Sequence, residues 1–171
     1  MTTILGMDPG LATFGFAVLV DGEIIDSGEI GVPPTSKKVR MHFADDFADR
    51  IRTLSRRIRK VIRCHHPDIA AFEALSLPRH ASAAAKLAAG SAAAISQCVA
   101  WNIKIRPVLH SEVDEWLGKS KMGRQTRKAA LQKKVLGLWP GHSWPRRLKK
   151  KDLIQHPIDA AAVAATAARN P

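Results

Sequence analysis

An Asp21-Gly22 pair lies between two strand-like segments near the start of the chain, residues 15–20 and 23–30. A two-residue hairpin turn needs positive φ at both positions, a conformation that Asp and Gly tolerate better than most residues. The pair therefore predicts an antiparallel hairpin. A short apolar strand over residues 3–7 precedes it and ends at an Asp-Pro-Gly sequence, so three antiparallel strands are expected to open the fold.

Beyond the hairpin, the spacing of apolar residues alternates between helical and strand periods. The first four predicted elements are a helix over 43–64, a strand over 67–75, a helix over 82–101 and a strand over 102–108. Three helices follow: a short one capped by Ser111, one that starts near Thr126 and runs through Leu138, and a last one that begins at Pro157. Along the chain, three strands come first and alternating helices and strands follow. This order favours an α/β fold, in which a mixed sheet has helices on both faces.

The size of the chain predicts one compact domain over residues 1–171, since 46% of its residues are hydrophobic and can bury a single core. We find neither an apolar run long enough to span a membrane nor a secretory signal, and therefore expect a cytoplasmic protein. Cys64 and Cys98 are far apart in sequence. They suggest neither a disulfide nor a zinc site, and we expect two buried free thiols.

Positive charge is concentrated in one segment. The chain has 27 Lys and Arg against 15 Asp and Glu, and residues 116–151 contain 12 of the basic residues and none of the acids. The rest of the chain is neutral, so the whole net charge of +12 lies in this segment. Such segregation favours a phosphate-binding surface over an ordinary solvated face, and hence a nucleic-acid partner.

Two acids lie in apolar strands, where a charge is costly to bury. Asp8 ends the first strand and shares a face with Gly6, because side chains alternate along a strand. Glu73 lies in the fourth strand and shares a face with Ala71. An Arg or Lys could stabilise each acid. Two such acids in one small domain favour a shared metal, because divalent cations take oxygen ligands from separate elements.

Asp159 is a third candidate ligand, in the first turn of the predicted last helix. If His156 is the N-cap and Pro157 the first helical residue, His156 and Asp159 lie close together and could approach one metal from the same side. An acid at this position also favours the helix dipole and can cap free N–H groups, so a structural role for Asp159 is an equal alternative. A lone His is also more often structural than a ligand.

Four motifs give the sequence a family resemblance. ILGMDPGLATFG, at residues 4–15, resembles the opening strand and turn of the RuvC Holliday-junction resolvases, which belong to the RNase H-like superfamily. It also resembles the phosphate loop of sugar kinases and actin-like ATPases, but those need a second domain that this chain is too short to supply. PDIAAFEAL is similar to the second acidic strand of the resolvases, SAAAKLAAGSAAA to their Ser/Ala-x-x-x-Lys-Leu helix and HPIDAAAVAATA to their terminal acidic motif.

The resemblance implies an RNase H-like fold with a five-stranded mixed sheet, three antiparallel strands then two parallel, flanked by helices on both faces. It implies a crossover junction endodeoxyribonuclease that cuts four-way DNA in recombination and repair. Asp8, Glu73 and Asp159, with His156, would bind two Mg²⁺ ions, for which Mn²⁺ can substitute. One ion would activate a water and the other would stabilise the departing 3′ oxygen, leaving 5′-phosphate and 3′-hydroxyl ends.

The resemblance further implies a homodimer through the helix from Ser82 to Ala100. A two-fold dimer suits a junction with approximate two-fold symmetry that must be cut on two opposing strands. Small side chains would let two such helices approach closely, although ordinary helix propensity explains them equally well. The small residues concerned are Ala83, Ala84, Gly90 and Ala93.

Basic residues near the expected site are predicted to hold DNA phosphates, which would make binding salt-dependent. They are Arg79, Lys86, Lys119, Lys121, Arg124, Arg127 and Lys128. Relatives commonly carry an aromatic wedge three residues after the strand glutamate, where this chain has Ser76 followed by Leu77, so Leu77 is the candidate wedge. Trp139 and Trp144 could stack on unpaired bases or pack their loop, and packing is favoured.

Two other functions remain open on sequence grounds. An RNase H-like nuclease could act instead on RNA or RNA:DNA hybrids, as in ribosomal RNA maturation. A protein of this fold could also bind branched nucleic acid without cutting it, although the intact acidic set argues against that reading.

Overall fold

One mixed sheet carries the fold in the computed structural model, which describes residues 1–35, 42–74, 80–118, 123–145 and 155–169. Its strands are β1 (Thr3–Asp8), β2 (Thr13–Val20), β3 (Glu23–Gly31), β4 (Ile69–Glu73) and β5 (Lys104–Val108). They lie in the order β3-β2-β1-β4-β5, with β1, β2 and β3 antiparallel and with β4 and β5 running parallel to β1. The predicted fold class is confirmed.

The predicted hairpin joins β2 to β3. Asp21 has φ 48° and Gly22 has φ 89°, the positive values that this turn requires at both positions. The strands pair from Val20 with Glu23 to Thr13 with Gly31, with one irregularity between Val18 and Leu19. The local turn chemistry therefore sets the register of the antiparallel half of the sheet.

Helices cover both faces of the sheet. They are α1 (Phe43–His65), α2 (Ala81–Ala100), α3 (His110–Leu117), α4 (Arg124–Leu138) and α5 (Gln155–Ala167). On one face Leu5 and Met7 of β1 pack with α1 and α2, and on the other Ile4 packs with α3, α4 and α5. The strict alternation of β1 between the two cores follows from the two-residue period of a strand.

Helix α5 lies directly against the middle of the sheet. A Cβ on Gly6 would come 2.1 Å from the carbonyl oxygen of Ala160 and 2.7 Å from the Cβ of Ala164. Ala160 and Ala164 are fully buried. Small residues on both sides therefore let the helix backbone approach β1 closely, which fixes the position of the first turn of α5.

Helix α2 is long and apolar enough to cross a membrane by length and composition alone. A core helix of a soluble protein passes the same test, and one face of α2 packs against α1 and against the turn after β1. There a Cβ on Gly90 would come 2.8 Å from the carbonyl carbon of Gly10. Gly90 and Ala93, predicted to face a second subunit, are instead buried within their own chain.

Two predicted helix starts were wrong and one was right. Leu109 is the N-cap of α3 and places Ser111 inside the helix, because the Glu112 carboxylate accepts the Leu109 N–H at 2.6 Å. Helix α4 begins at Arg124, two residues before Thr126, which agrees with the predicted start near Thr126. Helix α5 begins at Gln155, so His156 is its second residue and not its N-cap.

The prediction for the cysteines was half right. Cys98 lies on the buried face of α2, and burial raises the pKa of its thiol to about 11. Cys64 is exposed near the end of α1. It lies on the polar face of an amphipathic helix, among exposed arginines.

Candidate active site

Asp8 and Glu73 end two neighbouring strands of the sheet. β1 and β4 are parallel and Met7 pairs with Phe72, so the next residue along each strand is one of the two acids. Ile4 and Ala71 lie in the core beneath α5. Alternation therefore places Asp8 and Glu73 on that same face, at the carboxyl edge of the sheet. The strand register therefore brings the two acids to one face and one edge of the sheet, as the expected sharing of a metal requires.

The first turn of α5 reaches Asp8 over a glycine. Gly15 pairs with Asp8 in the sheet, and a Cβ on Gly15 would come 2.4 Å from the backbone carbon and oxygen of His156. The missing side chain lets the helix start lie directly on β2. As a result His156 Nδ1 donates to Asp8 Oδ2 at 2.5 Å, which links residues 148 positions apart. The donor is assigned to the imidazole because an ionised carboxylate only accepts.

Asp159 lies one turn further along α5, where its carboxyl group is largely removed from water. Burial, together with the nearby charge of Asp8, raises the pKa of Asp159 from an ordinary value of 3.8 to about 6. A hydrogen bond from Gln155 at 2.7 Å and the positive charges of Lys128 and His156 act in the opposite direction. The site therefore holds more negative charge than its own cations neutralise.

The pKa of His156 is also raised by the neighbouring carboxylates. Its hydrogen bond to Asp8 raises the pKa of the imidazole above the ordinary 6.5, while burial opposes this shift. The negative charges of Asp8, Glu29 and Asp159 raise the pKa further. Glu29 lies on β3 opposite Gly15, so it is a fourth acid close to the first turn of α5 that the sequence analysis missed.

Glu73 is held by two basic side chains that the sequence did not predict as its partners. His110 Nδ1 lies 2.5 Å from Glu73 Oε1, and an Arg127 terminal nitrogen donates to the same oxygen at 3.3 Å. Arg127 Nε also donates to Asp114 at 2.6 Å. His110 starts α3 immediately after β5, the strand beside β4. Because the two strands are parallel, this position at their carboxyl edge could have predicted from the sequence that His110 lies near Glu73.

The donor chemistry of the site fits a hard divalent cation, since carboxylate oxygens and one imidazole lie on a single face and edge of the sheet. Within the described ranges, however, no three acidic, His or Cys side chains converge closely enough to hold an ion in the present rotamers. Asp8 is paired with His156, Asp159 with Gln155, and Glu73 with His110. Metal binding therefore requires these carboxylates to exchange their internal partners for the ion.

The predicted phosphate-binding residues and the candidate wedge Leu77 fall into four groups. Lys86 on α2 and Lys128 on α4 are exposed. The side chain of Arg127 is only 15% exposed because of its two ion pairs, which distinguishes it from a free surface cation. Arg124 starts α4, and nothing is described of its side chain. Outside the described residues lie Leu77, Arg79, Lys119 and Lys121.

The two tryptophans after α4 pack inside the molecule. Trp139 and Trp144 are 7% and 8% exposed and belong to the core beneath α5. Trp139 Nε1 donates to the carbonyl of Gly22 in the hairpin turn at 3.1 Å, and Trp144 meets the ring of His142 edge-on. Packing, the favoured interpretation, agrees with this arrangement.

Comparison with solved structures shows the same fold. RuvC of Thermus thermophilus, in a structure with a Holliday junction substrate, superposes with a TM-score of 0.73 at 18% identity, over 97% of this chain and 92% of that one. The yeast mitochondrial Holliday junction resolvase superposes with a TM-score of 0.62 at 13% identity, over 98% and 78% of the two chains. The architecture is thus the RNase H-like fold of junction-cutting nucleases.

Sequence comparison gives the family. The model of the family "Crossover junction endodeoxyribonuclease RuvC" matches residues 4–141. The RuvC of Alkalilimnicola ehrlichii is 31% identical over 133 residues, which cover 74% of this chain and 77% of that protein. The chain therefore belongs to the RuvC family of crossover junction endodeoxyribonucleases, a family of metal-dependent nucleases, and the predicted resemblance is confirmed.

Proposed function

We propose that this protein resolves Holliday junctions by cutting two opposing strands symmetrically, in DNA recombination and repair. The observation that carries the proposal is the meeting of Asp8, Glu73 and the first turn of α5 at one edge and one face of the sheet. The products are 5′-phosphate and 3′-hydroxyl nicks that a ligase can seal. Family membership supports the choice of branched DNA as substrate.

The metal-binding set in this proposal is Asp8, Glu73, His156 and Asp159, with two Mg²⁺ ions per site and Mn²⁺ as a substitute. Such ions supply a metal-bound water for in-line attack and stabilise charge on the departing 3′ oxygen. Asp8 lies between the two groups of ligands, with Glu73 on one side and the α5 residues on the other. The imidazole of His156 orients Asp8, and the buried carboxyl of Asp159 supplies an oxygen ligand when it ionises.

Arg127 and Lys128 have separate tasks in the proposal. Lys128 is exposed on α4 and contributes positive charge near Asp159, where it can meet a DNA phosphate. Arg127 neutralises Glu73 and Asp114 in the metal-free protein. When metal takes over Glu73, the guanidinium becomes available to the phosphate backbone, to which Arg binds with two parallel hydrogen bonds.

A homodimer through α2 would supply one cut per subunit. Because Gly90 and Ala93 are buried against their own chain, the partner has to meet the opposite face of this helix. That face carries exposed small and apolar side chains at spacings of three and four. They are Ala85, Ala88, Ala92, Ser96 and Val99. The chain acts in this proposal as a single nuclease domain over residues 1–171 in the cytoplasm, on nucleoid DNA.

The direct test is cleavage of a mobile and an immobile four-way junction, with each strand end-labelled in turn, in the presence of Mg²⁺. We expect paired nicks at symmetric positions in opposing strands. An RNA:DNA hybrid duplex and a structured RNA serve as competing substrates in the same assay. Preferential cleavage of either one, or binding of the junction without any cut, would contradict the proposal.

Replacing Arg127 should separate metal binding from DNA binding. In Arg127→Gln, Glu73 loses a neighbouring positive charge, so Mn²⁺ should bind about fivefold more tightly, which corresponds to about 1 kcal/mol for a partly screened pair. Junction affinity without metal should also fall, because the variant loses one positive charge from the surface that faces the phosphates, even though the wild-type Arg127 is then still paired with Glu73 and Asp114. Isothermal titration with Mn²⁺ and gel-shift measurements in EDTA report the two effects, and Lys133→Gln, on the exposed side of α4, is the matched control. Weaker Mn²⁺ binding by Arg127→Gln would contradict the assigned role.

The buried carboxyl of Asp159 should make the stability of the metal-free protein depend on pH. Its folded pKa of about 6 lies above the ordinary 3.8, so its contribution is fully present below pH 3.8 and is lost as pH rises through about 6. The free energy of unfolding of the wild type, minus that of Asp159→Asn, should therefore fall mainly between about pH 4 and pH 6 and stay level above that. Urea titrations in EDTA measure this difference, and saturating Mg²⁺ should oppose the fall because it stabilises the ionised carboxylate.

A further inference from the structure

Helix α1 carries a second concentration of positive charge outside the proposed site. From residue 50 to residue 66 the chain has seven Arg and Lys and no Asp or Glu. Two of these arginines stabilise the chain itself, since Arg50 donates to the carbonyl of Val32 and Arg57 to that of Gly31. The others lie on the polar side of the helix and are not needed for those contacts.

An open cavity of about 490 Å³ lies against the second half of α1 and is lined by Arg56, Arg59, Lys60, Arg63 and Cys64, which we call the basic pocket. All five side chains are exposed. Arg59 donates to the neutral amide of Gln97 on α2, and no carboxylate within the described parts of the chain forms a salt bridge with any of the pocket residues. The pocket therefore presents four positive charges that lack a negative partner there.

The basic pocket lies on the opposite face of the sheet from the proposed site. Helix α1 ends at His65, shortly before β4 begins at Ile69, so the Arg63 and Cys64 end of the pocket is near the amino end of β4, on the face covered by α1 and α2. Glu73 ends the same strand and faces α5. The length of β4 therefore separates Glu73 from the Arg63 end of the pocket by about 15 Å, the span of about five base pairs.

We propose that the basic pocket binds the phosphate backbone of a duplex arm of the junction, away from the position of the cut. The inference rests on the proposed function for its substrate. Arg56, Lys60 and Arg63 follow one another at single-turn spacing over about 10 Å, which matches about three base pairs of backbone. The charge supplies binding without sequence preference, because phosphate contacts position the DNA and carry no base information.

The lining of the basic pocket favours DNA over an acidic protein. Protein–protein interfaces have aromatic and aliphatic side chains at their centre, surrounded by a polar rim. The lining residues of this cavity are four cations and one thiol. An array of cations around a shallow, open cavity is suited to a flexible row of phosphates and offers an acidic peptide no apolar anchor.

Binding of junctions with different arm lengths tests the inference. We expect Arg63→Gln, and more strongly Arg56→Gln with Arg63→Gln, to weaken binding of a junction with arms of about 20 base pairs, by about fivefold for each charge removed. The slope of log affinity against log salt should fall by about 0.9 for each phosphate that the variant no longer neutralises. A junction with arms of about five base pairs should bind Arg63→Gln and the wild type equally. Arg52→Gln removes an exposed charge from the same helix outside the pocket and is the matched control.

Cys64 provides an independent reporter, because it is exposed in the pocket while Cys98 is buried. Long-armed junction should slow alkylation of Cys64 by iodoacetamide in EDTA, and short-armed junction should not. If Arg63→Gln behaves like Arg52→Gln and Cys64 stays equally reactive, the pocket does not bind DNA, which includes the case of an acidic protein partner. If protection and salt slopes hold but the wild type fails to cut junctions in Mg²⁺, the proposed function fails while the pocket remains a DNA site.

Discussion

Asp8→Asn is expected to lower the rate of junction cleavage at least about a thousandfold. The substitution keeps the shape of the side chain and removes the charge that lies between Glu73 and the first turn of α5. Loss of a metal ligand removes several kcal/mol of transition-state stabilisation, and each 1.36 kcal/mol corresponds to about a factor of ten. Single-turnover cleavage at saturating protein measures the chemical step directly.

Junction binding by the same variant should remain at the wild-type level or increase, since one negative charge is removed from a surface that meets phosphates. Asp45→Asn, an exposed acid in the first turn of α1, is the matched control and should cut normally. An Asp8→Asn protein that cuts within about tenfold of the wild type would remove Asp8 from the metal-binding set and leave the proposed mechanism without its central ligand.

The sequence predicts best what short segments determine by themselves. The Asp21-Gly22 turn specifies its hairpin because both residues accept positive φ, and the structure has that turn. Alternation along β1 and β4 predicts the face on which Asp8 and Glu73 lie, because a strand has a fixed period of two. The fold class follows from the order of these periodic segments.

Partners from distant elements are not predictable in this way. No local pattern pairs Glu73 with His110 or Arg127, because the elements between them have to be placed first. The N-cap of α5 was wrong for a related reason: Pro157 suits the first turn of any helix and does not fix which residue precedes it. The role of Gly15 was invisible until α5 was seen to lie on it.

The carboxylates of the candidate site repel one another, so the side chains that contact them stabilise the site. Asp8, Asp159, Glu29 and Glu73 form an excess of carboxylates, and the raised pKa values of Asp159 and His156 both reflect it, together with the burial of Asp159. In the structure this excess is relieved by hydrogen bonds from His156 and Gln155, by the contact of His110 with Glu73 and by the charge of Arg127. In the proposed function a cation replaces these groups, so the carboxylates would be neutralised both with and without metal.

Gly15→Ala should reduce cleavage about a hundredfold while the protein remains folded. The added Cβ would lie 2.4 Å from the backbone carbon and oxygen of His156, and backbone atoms cannot move aside as the end of a flexible side chain can. The first turn of α5 must therefore shift away from β2, which carries His156 and Asp159 away from Asp8. A displacement of about 1 Å in a catalytic group costs about a hundredfold in rate, whereas overpacking costs about 1–3 kcal/mol of stability.

Gly31→Ala is the matched control for this prediction. Gly31 also lies in the antiparallel half of the sheet, its φ is not positive, and an added Cβ meets nothing within 4 Å. It should cut junctions at the wild-type rate with unchanged stability. Measured together, the rate and the free energy of unfolding distinguish a positioning effect from general damage, because Gly15→Ala should lose far more activity than its remaining folded fraction explains. Wild-type cleavage by Gly15→Ala would mean that the contact between Asp8 and the first turn of α5 is not needed for the reaction.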